Sequence, residues 1–218
     1  IDEVIIRTNE DVNSRLLNLQ AGEADVSYTP ATHATSVYNN VSPPAFAQND
    51  GTQQRLTPNT INVWAMYPTF NIASIHFTLS ETMNDTTLGE VVQNPFRLKN
   101  LRKTLAHAFD YQTCIDTITN GFGAQFAGPI PQGMFGYPED QALNEYDLDI
   151  AVDYWNDAMN NDGLDDILAN NSYTLNCYHN SGNEGRRRSQ LLLKDGLAAV
   201  LAHEDAEQPS EELTINVQ

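Results

Sequence analysis

The sequence predicts an α/β fold of mixed sheets with flanking helices. A strand-helix-strand pattern near the start, a second one near the end, and an extended aromatic stretch between them carry the expectation. Val4-Ile5-Ile6-Arg7 is a short apolar run that reads as a strand. Asn9-Glu10-Asp11 supplies a capping residue and an acidic first turn, Val12, Leu16, Leu17 and Leu19 recur at helical spacing, and Gly22 ends the helix. Asp25-Val26-Ser27-Tyr28 then reads as a second strand, and a parallel pair joined this way needs a right-handed crossover.

From Thr29 to Pro58, prolines and polar residues predict short helices and turns rather than sheet. Ile61 to Phe70 is extended and aromatic, with Pro68 marking an edge or a bend, and reads as the crossing between two lobes. Glu81 to Gly89 reads as a polar loop. Leu101, Leu105 and Ala108 share one helical face; Asp110 is placed to cap a second helix carrying Tyr111, Cys114, Ile115 and Ile118, which Gly121 ends. Gly121 to Pro138 is a long glycine and proline loop with Phe122, Phe126, Met134, Phe135 and Tyr137, and a loop so rich in large apolar residues covers its own core or a ligand. Asp147 caps a helix with Leu148, Ala151, Val152, Trp155, Ala158 and Met159 on one stripe. Tyr173 to Tyr178 alternates as a strand, a helix carries Leu191, Leu192, Leu193, Leu197, Val200 and Leu201, and Leu213 to Val217 alternates again.

The chain has 218 residues and 40% apolar content, enough for one large or two small folded units. A net charge of −18 excludes nucleic acid as a partner, because phosphates would be repelled over most of the surface. Arginine outnumbers lysine and aspartate outnumbers glutamate, a balance suited to solubility in high salt and equally to an ordinary acidic exported protein. No run approaches the roughly 20 apolar residues of a membrane span. Both ends read as strands, so the 218 residues are expected to be part of a longer protein. Cys114 and Cys177 read as two separate buried thiols on a helix and a strand, although an oxidising compartment would permit a bond between them.

Several short motifs occur in a fixed order: Leu19-Gln20-Ala21-Gly22-Glu23-Ala24-Asp25-Val26, Phe70-Asn71, Pro95-Phe96 followed by Arg102, Ala106, Ala108 and Asp110, Gly128-Pro129-Ile130-Pro131, and Tyr146-Asp147 with Ala151. That order resembles the extracellular solute-binding proteins of ABC importers, peptide-binding class, family 5. The resemblance spans nearly the whole chain, departing in the inserted Ile72 to Gln93 and in Leu101 where the family often has valine. It implies a periplasmic-binding-protein-like fold, with residues 1–60 as the end of one lobe and 61–218 as the hinge strand and most of the second. It also implies a small-molecule or peptide ligand captured by cleft closure, a membrane permease as partner, a monomer without cofactor or catalysis, and a place outside the cytoplasm, held by an anchor beyond these residues.

The ligand-binding candidates are Trp64, Tyr67, Asn71, Phe135 and Tyr137. Trp64 and Tyr67 either stack on a ligand or pack at the hinge, and Phe135 and Tyr137 either line the cleft or cover the loop's own core. Asn71 offers a donor and an acceptor, or satisfies a local turn. Asp110 beside His107 reads as a helix cap, and Arg186-Arg187-Arg188 either receives an anion or forms a solvated helix start. The five histidines show no metal-ligand spacing, and neither a nucleophile elbow nor a phosphate loop is present. The rivals are an exported hydrolase with an acidic site among Asp147, Asp149 and Asp153, or a sensor or adhesion domain on the same fold.

Overall fold

Asp11 closes the extended opening segment by accepting the Ser14 N–H at 2.7 Å, and helix α1 (Val12–Gln20) follows. Its exit is a left-handed turn at Gly22, φ 75°, with the Ala21 N–H returned to the Leu17 carbonyl at 2.8 Å. The computed structural model describes residues 3–30, 32–33, 54–56, 63–65, 72–85 and 89–218. By contacts the chain divides into two units, one comprising Ile1–Thr69, Ile115–Ala124 and Asn180–Gly185, the other Phe70–Cys114, Gln125–His179 and Arg186–Gln218.

In the first unit the expected strands flanking α1 do not form. Val4 to Arg7 and Asp25 to Tyr28 lie outside any ladder; Ile6 is 88% and Val26 89% exposed. A strand is made by its partner, and neither run has one among the described residues. Conversely, β1 (Gln54–Leu56), in a stretch where turns were expected, pairs antiparallel with β2 (Val63–Ala65), which lies in the crossing expected to be extended. Of the aromatic crossing only Val63 to Ala65 falls within the described residues, and most of Thr29 to Pro58 lies outside them.

The second unit holds the main core. The segment read as a polar loop is a hairpin, β3 (Thr82–Asp85) against β4 (Glu90–Gln93), in which Met83 faces Val92 across the ladder. Only Val92 of β4 is buried, so the hairpin's open face supplies the polar composition that made it look like a loop. Asn94, itself fully buried, fixes the hairpin to the next helix. Its side-chain N–H groups donate to the Thr78 and Ser80 carbonyls at 2.9 and 2.8 Å, and its oxygen accepts the Phe96 N–H at 3.0 Å. Pro95 can then open a 3₁₀ turn (Pro95–Arg97), because its missing N–H is not needed there.

Helix α2 (Lys99–Ala108) buries Leu101, Leu105 and Ala108 as the periodicity predicts, and Arg102 caps the preceding turn by donating to the Phe96 carbonyl at 2.6 Å. Asp110 caps α3 (Tyr111–Thr113), accepting from the Thr113 N–H at 2.9 Å and its hydroxyl at 2.6 Å. The rest of the expected second helix is a π-helical turn, Cys114–Ile118. Helix α4 (Leu148–Asn161) is capped by Asp147 and buries Ala151, Val152, Trp155 and Ala158; the Trp155 indole N–H donates to the Glu207 carbonyl at 2.7 Å. A short helix, α5 (Leu164–Asn170), was not expected, because Gly163 at φ 71° lets the chain leave α4 and restart within a turn. Asn171 ends it fully buried, donating to the Gln93 and Ile167 carbonyls, each at 2.7 Å.

Strand β5 (Thr174–Cys177), helix α6 (Glu184–Leu201) and β6 (Thr214–Val217) complete the expected C-terminal strand-helix-strand, and the two strands pair in parallel. Leu193, Leu197 and Val200 of α6 join Leu101, Leu105, Ala108 and Trp155 in one cluster. Their approach is set by Gly196, where a Cβ would stand 2.0 Å from the Ala108 carbonyl oxygen. The two cysteines are free and half-buried rather than fully enclosed, and burial raises both thiols above their usual range.

Substituting Gly196→Ala forces α6 off α2 and is expected to lower unfolding stability by about 3 kcal/mol or more, measured by urea denaturation. Asn94→Ala strands two carbonyls and one N–H, with an expected loss of about 2–3 kcal/mol in the same assay. Because their raised values keep both thiols protonated, Cys114 and Cys177 should react with iodoacetamide more slowly in the native protein than after unfolding, with the rate rising as pH rises.

Candidate functional site

The loop that follows the π turn is ordered by glycines at its corners. Pro131 accepts the Met134 N–H at 3.1 Å and Met134 accepts the Tyr137 N–H at 3.1 Å, two successive tight turns. Gly133 at φ 86° and Gly136 at φ 87° each fill the third position, which needs the left-handed region. Phe135 therefore occupies the second position of a turn, where the side chain points away from the chain, and it is 104% exposed. Met134 is 43% exposed beside it, while Tyr137 is half-buried.

The loop closes on itself. Gln125 donates to the Asn144 carbonyl at 2.7 Å across its base, Ala127 is buried at its neck, and Gly128 lies against Gln141 and Pro138. Its outgoing leg is tied to the end of α2, where the His107 ring Nδ1 sits 2.9 Å from the Glu145 carbonyl and the Asp147 N–H donates to the His107 carbonyl at 2.9 Å. An apolar tip is thus held out from a closed frame.

Phe135 and Tyr137 therefore share one loop, one at its exposed corner and one half-buried two residues on. Trp64 lies in β2 opposite Arg55, with its side chain outside the described residues, as are Tyr67 and Asn71. Of the acidic alternatives, Asp147 is engaged as the cap of α4, accepting the Ile150 N–H at 3.0 Å. Asp149 stands 3.3 Å from the His203 ring and Asp153 is exposed. Arg186 to Arg188 occupy the opening turns of α6, the first two exposed and the third half-buried. His107 stacks on Tyr154 at 5.8 Å between ring centres, and Lys103 lies 4.1 Å above the same ring.

One polar region escaped the sequence. At the carboxyl ends of β5 and β6, Gln190 of α6 donates to the Tyr178 carbonyl at 2.5 Å, and the His179 N–H donates to the Gln218 carbonyl at 2.8 Å. The amide oxygen of that glutamine, Gln190 Oε1, and the ring nitrogen His179 Nδ1 are buried without a hydrogen-bond partner among the described residues. The carboxyl ends of parallel strands are where open α/β sheets receive ligands. Only the parallel pairing, invisible in a lone glutamine and a lone histidine, brings the two together. Among the described residues no group of three or more His, Cys, Asp or Glu is arranged to hold a metal.

The comparisons with known proteins agree in direction. Residues 1–201 match the sequence profile described as bacterial extracellular solute-binding proteins, family 5 Middle. The chain is also 31% identical over 91 residues to a probable D,D-dipeptide-binding periplasmic protein, DdpA, of Escherichia coli strain K12; that stretch is 42% of this chain and 15% of the relative. The match across residues 1–201 places the chain in the family 5 bacterial extracellular solute-binding proteins.

Proposed function

We propose that these residues serve a protein that captures a small solute, an oligopeptide or a molecule like it, outside the cytoplasm and presents it to an ABC-transporter permease without chemical change. The observation that carries this reading is the family match over residues 1–201, and the relative named for D,D-dipeptide binding narrows the ligand class. Residues 1–60 belong in this reading to one lobe, and 61–218 to the hinge and most of the second. Closure of the lobes over a cleft requires contacts made only in the closed state, since a ligand held equally well in both states shifts nothing. The protein works as a monomer, without cofactor or nucleic acid, and is attached to the cell surface through a segment outside these residues.

The exposed corner residue Phe135 supports a ligand-contacting role, because a large apolar ring left fully in water gains on meeting an apolar ligand surface. Tyr137, Trp64, Tyr67 and Asn71 complete the proposed set. Titrating the full-length protein with D,D-dipeptides and with L-oligopeptides by calorimetry tests it. Phe135→Ala is expected to weaken the bound class about tenfold while leaving the melting temperature of the free protein unchanged. Unchanged affinity in that variant would remove the loop tip from the site, and no binding by either peptide class would remove peptides from the proposal.

The same reading includes life in high salt. With a net charge of −18, self-repulsion opposes the folded state until counter-ions screen it. The melting temperature is expected to rise between about 0.1 M and about 1 M potassium chloride, where the screening length falls from roughly 10 Å to 3 Å. A flat or falling curve by differential scanning calorimetry would show that the acidic surface is not a salt adaptation.

A further inference from the structure

His107 ties the outgoing leg of the glycine loop to helix α2. Its ring Nδ1 lies 2.9 Å from the Glu145 carbonyl, and a carbonyl only accepts, so Nδ1 carries the proton and donates. The ring itself is held in place. It stacks on Tyr154 of α4, whose hydroxyl accepts from Lys103 Nζ at 2.9 Å. Lys103 and His107 stand four residues apart on α2, so both reach that ring from one helical face. Glu145 follows Asn144, whose carbonyl receives Gln125 across the base of the loop. The bond from His107 therefore acts where the loop closes, and between Gln125 and Asn144 the chain makes the two turns that set Phe135 in solvent.

We infer that His107 is a positioning residue for the ligand contact at Phe135, an assignment that rests on the ligand-contacting reading of the loop tip above. His107 acts on the frame of the loop, holding its outgoing leg in the bound arrangement before a ligand arrives. A loop fixed in advance loses less conformational freedom on binding than one whose leg is loose. The backbone contact of His107, whose carbonyl accepts the Asp147 N–H at 2.9 Å, does not depend on the ring, and neither does the burial of Leu105 and Ala108 beside it. Replacing the ring therefore loosens the loop and leaves the helices packed.

Calorimetric titration of the full-length protein with D,D-dipeptides and with L-oligopeptides tests the assignment. His107→Ala is expected to bind the recognised class about fivefold more weakly, with faster amide hydrogen exchange at Asn144 to Tyr146 and a melting temperature within about 2 °C of the unchanged protein. His107→Asn, whose amide donates from the place of ring Nδ1, is expected to restore both affinity and protection. Because His107 acts through Phe135, adding His107→Ala to Phe135→Ala should weaken binding no further than Phe135→Ala alone. Unchanged affinity in His107→Ala, or losses that add in the double variant, would overturn the positioning role while Phe135→Ala still weakens binding. Unchanged affinity in Phe135→Ala, or no binding of either peptide class, would overturn the reading of the loop tip and the assignment with it.

Discussion

The contact on which the C-terminal architecture depends is the meeting of Gly196 with the backbone of Ala108. No side chain fits there, since a Cβ would stand 2.0 Å from the Ala108 carbonyl oxygen, and the absence of one lets α6 settle directly on the end of α2. That approach puts Leu193, Leu197 and Val200 into the same cluster as Leu101, Leu105 and Trp155. It also positions the parallel pair, because α6 lies in the connection between β5 and β6 and a parallel register can be set only through such a crossover. A single residue without a side chain therefore governs both the helical packing and the sheet.

Around that contact, the irregular segments are held by buried asparagines rather than by apolar packing. Asn94 gathers the backbone of the segment before β3 and of the turn after β4, and Asn171 ties the end of α5 back to Gln93. Each replaces ladder hydrogen bonds where no ladder is possible, as buried backbone groups require. Asn171 is followed by Ser172 and Tyr173, both left-handed at φ 50° and 51°, a strained pair retained because the Tyr173 N–H reaches the Leu168 carbonyl at 2.8 Å and its ring is buried. The glycine loop follows the opposite logic, with its corners placed so that Phe135 faces outward. The unit thus combines a rigid frame with a loop tip that holds the Phe135 ring in solvent.

Where the sequence pattern was long and periodic it foretold the structure. Helices α1, α2, α4 and α6 appear on the predicted residues, with Asp110 and Asp147 capping as expected; at α1 Asp11 is itself the cap, so the expected acidic first turn is absent. Short elements misled in both directions. Val4 to Arg7 has the composition of a strand but no partner among the described residues, whereas Thr82 to Asp85 looks like a loop and forms one strand of a hairpin. Strand formation belongs to the pair, not to either segment alone.

The amino-acid order by itself determined the helical faces, their caps, the acidic surface and, through the sequence of its short motifs, the family to which the chain belongs. These are properties of residues within a few turns of one another, or of the chain as a whole. Tertiary structure alone decided that Gly196 is a contact and not a helix weakness, that Asn94 is a junction, that Gln190 and His179 share the carboxyl ends of two strands, and that Phe135 is fully in solvent. Each of those depends on groups distant in sequence or on the direction of a turn, and such relations acquire energy only once the chain has closed upon itself.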